Sequence, residues 1–287
     1  MNKKYLISFA SPDLKRSADR YYKQAKSLDF YDEIFVFSLS DLEKESQKKI
    51  LKLLKDNKIN GYGYWFWKPL ILKQLLKKIN ERDIIHYTDV GCHLNVSGLN
   101  RLNYYIEKLQ NSEKGLLSFQ YNPLKDYNYD DFEFPNIAEY IYTKADLFDY
   151  FDVLKKKEIT NTNQFWAGNI LLEKNHFTEN FISKWIDVFD KRFDLVDDTP
   201  SKISNFKNFL HNKHDQSVYS LLCKLHKIDS LSAYECDWFY HKGRRYWKHT
   251  EKSPVIAKRD KKYNFFQRFL NRQKKTIKRY YNKFFGG

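Results

Sequence analysis

The stretch IIHYTDVGCHLN, residues 84–95, decides the fold, because an apolar run ends there at Asp89 and a glycine and a histidine follow. A short apolar run of this kind is typical of a buried strand. A single Asp at a strand end is frequently a turn or helix-cap residue. In sheets of parallel strands, however, ligands bind beyond the carboxyl ends of the strands. Asp89 is therefore either a turn residue or a ligand contact.

Segments of strand and helix character alternate up to this stretch. Ser11 and Pro12 mark the start of a first helix, and Ser40 with an acidic first turn marks a second. The predicted elements are a strand at 3–10, a helix at 11–28, a strand at 31–38, helices at 40–57 and 68–81, and a strand at 82–90. Such alternation predicts an α/β fold with a mostly parallel central sheet and helices on both faces.

Composition indicates a soluble globular protein: of 287 residues, 42% are hydrophobic and 30% charged, which suits one substantial core. The apolar run near the N-terminus is interrupted too early for a signal peptide, and no apolar stretch approaches the roughly 20 residues that span a bilayer. The cysteines, Cys92, Cys223 and Cys236, have no CxxC spacing, so neither a disulfide framework nor a thiolate zinc site is predicted. A cytoplasmic protein is expected.

The net charge of +15 is concentrated at the C-terminus. From Lys252 onward, twelve Lys or Arg residues stand against one acid, Asp260, and aromatic residues are interleaved with them. Apolar steps of three and four from Phe266 to Ile277 predict a basic amphipathic helix. This pattern suits an anionic membrane surface or a nucleic-acid arm, although a charge run is also frequently a solvated face. We therefore divide the chain into a domain at 1–250 and a basic aromatic tail at 251–287.

Three further motifs place polar side chains at predicted element ends. Ala167, Gly168 and Asn169 form a turn of small residues before an apolar strand. Asp215 and Gln216 begin an amphipathic helix, where they suit either a cleft or a plain helix cap. The last motif combines an imidazole with cations suited to phosphate, in the residues His241, Gly243, Arg244 and Arg245.

The aromatic stretch GYGYWFWKP, residues 61–69, has two interpretations. With Pro69 in the first turn of a helix, it forms a buried aromatic cluster and leaves Lys68 in solvent. Alternatively, the rings belong to a binding site, since aromatic faces pack on the apolar faces of sugars. Trp166 likewise either lines such a site or fills the core.

Taken in order, the strand-end acid, the AGN turn, the DQ pair and the HxGR cluster resemble glycosyltransferases of the A-type, single Rossmann-like fold (GT-A). The similarity covers roughly residues 4–250. It is greatest to bacterial enzymes that build lipopolysaccharide or capsule, and more distant to the retaining galactosyltransferases of family eight. The resemblance implies hexosyl transfer from a nucleotide-diphosphate sugar, with a UDP-sugar favoured, to a glycan or glycolipid acceptor.

The resemblance also implies a role for each matching residue. Donor binding falls to Ser8, Phe9, Ala10, Lys68, Asp89, Ala167, Gly168, Asn169, Arg244 and Arg245. Asp215 and Gln216 would be the catalytic residues beside the transferred sugar, and Trp166 would contact the acceptor. Asp89 and His241 would hold a divalent cation, Mn²⁺ or Mg²⁺.

The metal motif departs from the family pattern, because Gly91 stands where a second acid is expected. His93 is the nearest replacement. One carboxylate with an imidazole and the donor phosphates would still hold a cation weakly. Alternatively, Lys68, Arg244 and Arg245 would offset the diphosphate charge without a metal.

The resemblance thus implies a hexosyltransferase, with retention favoured, that acts on lipopolysaccharide, lipooligosaccharide or capsule. We expect it in the cytoplasm, bound through its tail to the inner face of the cytoplasmic membrane, with no nucleic-acid partner. An inverting enzyme would need a carboxylate base near the acceptor hydroxyl, and Asp215 is the residue for that role. Two other classes stay open: a basic nucleic-acid-binding protein, although recognition signatures are lacking, and a non-catalytic membrane-surface scaffold.

Overall fold

A mixed sheet forms the centre of the protein; the computed structural model describes residues 2–55, 61–127 and 131–258. The strands of this sheet are β1 (Lys4–Phe9), β2 (Glu33–Phe37), β3 (Ile84–Thr88), β5 (Leu116–Gln120), β7 (Asn169–Glu173) and β8 (Asp229–Ser232). Their order is β2-β1-β3-β7-β5-β8. β7 runs antiparallel to β3 and β5, while the remaining neighbours are parallel. The predicted α/β fold with a mostly parallel sheet is confirmed.

Helices cover both faces of this sheet. The longer ones are α1 (Lys15–Leu28), α2 (Lys44–Leu54), α4 (Trp67–Leu76), α5 (Leu99–Gln110), α9 (His176–Lys191) and α10 (Asp215–Leu225). Short ones are α3 (Gly61–Tyr64), α6 (Glu139–Tyr142), α7 (Ala145–Tyr150) and α8 (Lys157–Thr160). Side chains alternate across a strand, so Tyr5, Ile7 and Phe9 pack into the core under α4, α9 and α10. Leu6 packs into the second core, with α1 and α5.

Two small sheets complete the domain and place the end of the described chain. One contains β6 (Phe132–Glu133), β9 (Phe239–His241) and β10 (Arg244–Tyr246), and the other pairs β4 (His93–Leu94) with β11 (Val255–Ile256). Val255 is fully buried. The globular domain therefore continues past the predicted boundary at residue 250, because residues 255 and 256 belong to its sheet. The predicted amphipathic helix of the tail lies at 259–287, outside the described residues.

The second helix begins later than predicted. Ser40 does not cap it, because Ser40 lies in a 3₁₀ turn, Leu39–Asp41, and α2 starts at Lys44. The capping interaction belongs to Ser38, whose backbone amide donates to the Asp41 carboxylate at 2.7 Å. A local side-chain bond of this kind satisfies the backbone in a turn and so delays the helix.

Two expectations from composition can be compared with the fold. The three cysteines are buried and form no disulfide, as predicted. Among the residues that the structure describes, no helix is long and apolar enough to cross a membrane.

A buried histidine links the two halves of the sheet and predicts a pH-dependent stability. His86 Nε2 lies 2.7 Å from Asn169 Oδ1, and its Nδ1 lies 2.7 Å from the Tyr31 hydroxyl. Burial lowers the pKa of His86 to about 4, against a usual value near 6.5, and the bond to Asn169 opposes this only in part.

Below pH 6.5 His86 therefore becomes protonated in the unfolded chain, whereas in the folded protein it stays neutral until about pH 4. We expect the free energy of unfolding to fall by about 3 kcal/mol across this window, at roughly 1.4 kcal/mol for each pKa unit. Urea unfolding at a series of pH values measures it. In His86→Gln the free energy of unfolding should depend less steeply on pH. An unchanged dependence would mean that other groups cause it.

Candidate active site

The predicted strand-end acid and the AGN turn are adjacent in space. Asp89 follows Thr88, the last residue of β3. The antiparallel strand β7 begins at the same edge, with Asn169 opposite Thr88, and the Asp89 amide donates to the Gly168 carbonyl at 3.0 Å. Because β1 and β3 are parallel neighbours, β1 also ends at this edge. The edge is the position where α/β sheets bind ligands.

Two hollows meet at Asp89. The larger has a volume of about 840 Å³ and the smaller about 420 Å³, and Asp89 and Trp65 line both. The smaller hollow is also lined by Phe9, Ser11, Asp13, Leu14, Ser17, Tyr62 and Trp67. The larger is also lined by Lys68, Tyr121, Trp166, Gly168, Lys213, Asp215, Gln216, Asp237, Trp238, Arg245, Trp247 and Lys258. Asp89 therefore separates two connected binding spaces.

A buried ammonium joins the two carboxylates of the site. Lys68 Nζ lies 2.6 Å from Asp215 Oδ2 and 3.6 Å from Asp89 Oδ1. The side chains of Lys68 and Asp215 are 4% and 6% exposed, whereas that of Asp89 is 20% exposed. Burial raises the pKa of Asp215, and attraction to Lys68 opposes the rise. Lys68 is thus a structural partner of Asp215, which neither interpretation of the sequence included.

The Tyr87 hydroxyl fixes the orientation of the Asp89 carboxylate. It donates to Asp89 Oδ1 at 2.6 Å, and Tyr87 is fully buried in β3. Burial and the negative charge of Asp89 raise the pKa of Tyr87, so the hydroxyl keeps its proton and remains the donor. Tyr87 and Lys68 thus both contact the same oxygen of Asp89, Oδ1.

The amide of Gln216 has a defined direction. Gln164 Nε2 must be a donor, because it lies 3.0 Å from the carboxylate of Glu139, which pairs with Lys224 at 2.8 Å. Gln164 Oε1 therefore accepts, and it does so from Gln216 Nε2 at 2.9 Å. The carbonyl oxygen of Gln216 is left for the larger hollow. Gln164 and Glu139 are positioning residues that no sequence motif identified.

Gly168 lets the Trp166 ring lie in the larger hollow. Trp166 is 7% exposed, and any Cβ at residue 168 would overlap its indole. Ala167 is buried beside them and belongs to the core. Of the AGN turn, Gly168 therefore lines the hollow, and it is small because of the neighbouring ring.

We expect Gly168→Ala to push the indole of Trp166 out of place. Overpacking of this kind typically destabilises by about 1–3 kcal/mol, and the tryptophan near-ultraviolet signal should change with it. In the double variant Trp166→Phe/Gly168→Ala the smaller ring leaves room for the methyl group. Denaturant unfolding should then show that the double variant loses much less free energy of unfolding than the two single variants lose together. Strictly additive losses would contradict the contact between residue 168 and the Trp166 ring.

Three predicted donor contacts lie elsewhere than expected. Ser8 is fully buried, and its hydroxyl donates to the Thr88 carbonyl at 2.7 Å. Asn169 is fully buried and bonded to His86, because its position inside the sheet directs the side chain away from the hollows. Ala10 donates its amide to the Phe37 carbonyl and does not line either hollow. Of this predicted set, Phe9 lines the smaller hollow.

Within the hairpin of β9 and β10, His241, Arg244 and Arg245 line a separate hollow of about 380 Å³, and Arg245 also lines the larger hollow. His241 pairs with Arg244 and Tyr240 with Arg245, so the two arginines project from opposite faces. Arg245 lines the larger hollow, whereas His241 and Arg244 do not. His241 instead stacks on Phe132 at 4.6 Å between ring centroids. Contrary to prediction, His241 and Arg244 are not neighbours of Asp89, because the strand alternation turns them away.

The described residues fit a cation that is carried mainly by a ligand. They contain no group of three His, Cys, Asp or Glu side chains placed to hold a metal ion. His93 lies in β4 near Gln24 and lines neither hollow. Mg²⁺ commonly takes one or two carboxylates and completes its shell with substrate phosphates and water. Asp89, which lines both hollows with a side chain that is 20% exposed, suits that role, while Asp215 is occupied by Lys68.

Two strained segments adjoin the site, and sequence reasoning missed their importance. Residues 61–65 all have positive φ, from 51° to 80°, and three of them are not glycine. His214 has φ 52° and ψ −116° and stacks on Trp65 at 5.7 Å. Such backbone costs of order 1–3 kcal/mol per residue and persists where surrounding contacts hold it. Gly61 and Gly63 are a sequence signal for positive φ in the first segment. Nothing in the sequence indicates the positive φ of His214.

The sequence matches no protein-family model and no curated protein. Solved structures with a similar chain trace include a glycosyltransferase involved in glycosylation of the major capsid of PBCV-1, at 10% identity, TM-score 0.48, and coverage of 94% of this chain and 98% of that one. Mouse xyloside xylosyltransferase 1 in its apo form has 10% identity, TM-score 0.42, and coverage of 82% and 87%. Galactosyltransferase LgtC, in complex with donor and acceptor sugar analogs, has 9% identity, TM-score 0.43, and coverage of 82% and 75%.

Proposed function

We propose that the protein is a glycosyltransferase that uses a nucleotide-diphosphate sugar, with a UDP-sugar favoured. The observation that carries the proposal is the cluster of Asp89, Lys68 and Asp215 in the larger hollow, at the carboxyl ends of β1 and β3, where Asp89 also lines the smaller hollow. A nucleotide sugar needs two adjoining spaces with charged groups at their junction. This edge of the sheet offers both.

The smaller hollow suits the nucleoside. Phe9, Tyr62 and Trp67 give it an aromatic wall for the base, and Ser11 and Asp13 supply polar atoms for ribose hydroxyls. The diphosphate would then lie at Asp89, and the sugar in the larger hollow near Trp166 and Gln216. An aromatic face beside polar groups is the usual environment of a bound pyranose.

The proposed chemistry is stabilisation of the departing nucleotide and orientation of the acceptor hydroxyl. A divalent cation, Mn²⁺ or Mg²⁺, held by Asp89 and the donor phosphates, would neutralise the diphosphate charge. Asp215 Oδ2 is engaged by Lys68 at 2.6 Å and its side chain is 6% exposed, so the carboxylate is poorly accessible to an acceptor hydroxyl. Gln216 presents a carbonyl oxygen to the hollow instead. Both features favour retention of configuration, which needs no carboxylate base.

The acceptor we propose is a cell-surface glycan: lipopolysaccharide, lipooligosaccharide or capsule. The support is the resemblance of the motifs and the basic aromatic sequence of residues 259–287. Such a sequence suits contact with anionic lipids, each Lys or Arg near the surface contributing about 1 kcal/mol. The proposed location is accordingly the inner face of the cytoplasmic membrane.

A thermal-shift screen tests the proposal. The purified chain is heated with UDP, GDP, CMP or their sugar conjugates, each with Mn²⁺ and with EDTA. A ligand that binds only the folded protein raises its Tm, by an amount that reflects a gain of about 2.7 kcal/mol at one hundred times Kd. We expect one nucleotide diphosphate to raise the Tm, and the matching sugar conjugate to be hydrolysed or transferred. No response to any nucleotide would refute the proposal.

A further inference from the structure

The outer face of the β9–β10 hairpin carries an aromatic and cationic surface. Tyr240 and Arg245 are cross-strand partners on this face, and Trp238 continues it, because alternate residues share a face. The Arg245 guanidinium stacks on the Trp238 ring at 4.1 Å, and Trp238 meets Tyr240 edge-on at 4.9 Å. The opposite face is core: Phe239 and Tyr246 both pack on Phe132. The hairpin core therefore fixes the outer surface in place.

This surface forms one wall of the larger hollow, which Trp238, Arg245 and Trp247 line together with Lys258. Arg245 and Lys258 are exposed. Within residues 2–55, 61–127 and 131–258, no ion pair involves either of them. The hollow thus has two exposed cations in its lining, which also includes the carboxylate of Asp237. Cations at such a wall attract an anionic ligand.

The chemistry of the wall selects the ligand class. Indole rings pack on the apolar faces of sugars. A guanidinium placed over an indole loses part of its freedom, and its forked N–H groups suit bidentate contact with a carboxylate or phosphate. We propose that Trp238, Arg245 and Trp247 form an acceptor subsite for an acidic saccharide, one that carries a carboxylate or a phosphate group.

This inference rests on the proposed function, because only a transferase has an acceptor. The smaller hollow, assigned to the nucleoside, is lined by neither Arg245 nor Trp238. Both line the larger hollow, where Gln216 and Trp166 would lie beside the transferred sugar. Arg245 therefore moves from the donor diphosphate, where the sequence prediction put it, to the acceptor.

Binding of three matched oligosaccharides to the full-length protein tests the subsite. One ends in glucuronate, the second is its carboxyl-reduced form ending in glucose, and the third ends in a phosphorylated hexose. Calorimetry should show at least one acidic probe binding tenfold or more tightly than the neutral one. Arg245→Gln should remove this preference. Arg244→Gln is the matched control, since Arg244 is the neighbouring cation on the other face, and it should keep the preference.

Each outcome has one meaning. Equal binding of the acidic and neutral probes would overturn the subsite, and so would equal losses in the Arg244 and Arg245 variants. Vesicles of phosphatidylglycerol that bind with no preference among the soluble probes would also overturn it, in favour of a membrane contact. If the protein prefers the acidic probes but no nucleotide raises its Tm, the subsite stands and the glycosyltransferase proposal is refuted. If a nucleotide raises the Tm but the acidic probes bind no more tightly, the glycosyltransferase proposal stands and the subsite is refuted.

Discussion

Replacing Lys68 by Met is expected to lower the free energy of unfolding by about 3–5 kcal/mol, the usual cost of removing one partner of a buried ion pair. The reason is the surroundings of Asp215, which is 4% exposed and lies 2.6 Å from the lysine. Without Lys68, this carboxylate must stay charged without a partner or bind a proton inside the protein. Urea unfolding followed by circular dichroism measures the loss.

A double variant separates stability from binding. In Lys68→Met/Asp215→Asn neither charge is left, so we expect most of the lost stability to return. Nucleotide-sugar binding should not return with it, because Asp89 has lost its neighbouring cation. Recovery of both stability and binding would mean that the ion pair of Lys68 and Asp215 is purely structural. Strictly additive losses of stability in the two single variants would mean that the two residues do not interact.

An exposed ion pair is the control for this measurement. Lys49 and Asp190 are also 2.7 Å apart, but their side chains are 43% and 34% exposed. Surface pairs of this kind contribute up to about 1 kcal/mol, so Lys49→Met should change the stability little. A loss as large as that of Lys68→Met would mean that burial is not the cause.

Replacing Asp89 by Asn is expected to lower kcat/KM for glycosyl transfer on the order of 10²–10³-fold, the magnitude seen when one charge-stabilising group is removed from a site. The substitution keeps the shape and removes the charge where the two hollows meet. The amide oxygen can still accept from Tyr87, but it lacks the negative charge that attracts Lys68. Initial rates with the donor found in the thermal screen measure the effect.

Two variants bound this result. Tyr87→Phe keeps the Asp89 charge and removes only the hydrogen bond that orients it, so a smaller loss, of about tenfold, is expected. Asp190→Asn removes a carboxylate far from the hollows and should leave the rate unchanged. Full activity in Asp89→Asn would mean that Asp89 is only a turn residue and does not contact the donor.

Local patterns predicted the elements because they depend on near neighbours in the chain. The apolar run before Asp89, the spacing in α1 and the small residues before β7 all identified their segments correctly. The prediction for Ser40 was wrong because a competing bond between Ser38 and Asp41 forms a turn first. Boundaries depend on such contacts between side chain and backbone, which sequence periodicity does not describe.

Contacts between distant residues could not be predicted in the same way. Lys68 and Asp215 are 147 positions apart, and Gln216 is oriented by Gln164, 52 positions away. The alternation within the hairpin put Arg245 at the larger hollow and turned His241 away from it. A motif names the residue types of a site, but the direction of each side chain follows from its strand face.

The sequence by itself determined the α/β class, the mostly parallel sheet and the position of Asp89 at a strand end, because chain periodicity and strand length are local properties. Only the tertiary structure decided that Lys68 is buried between two carboxylates, that His214 stacks on Trp65, and that Asp89 separates two hollows. These arrangements arise where α4, α10 and the ends of β1 and β3 pack together. Packing brings together residues from distant parts of the chain, and no local pattern records that.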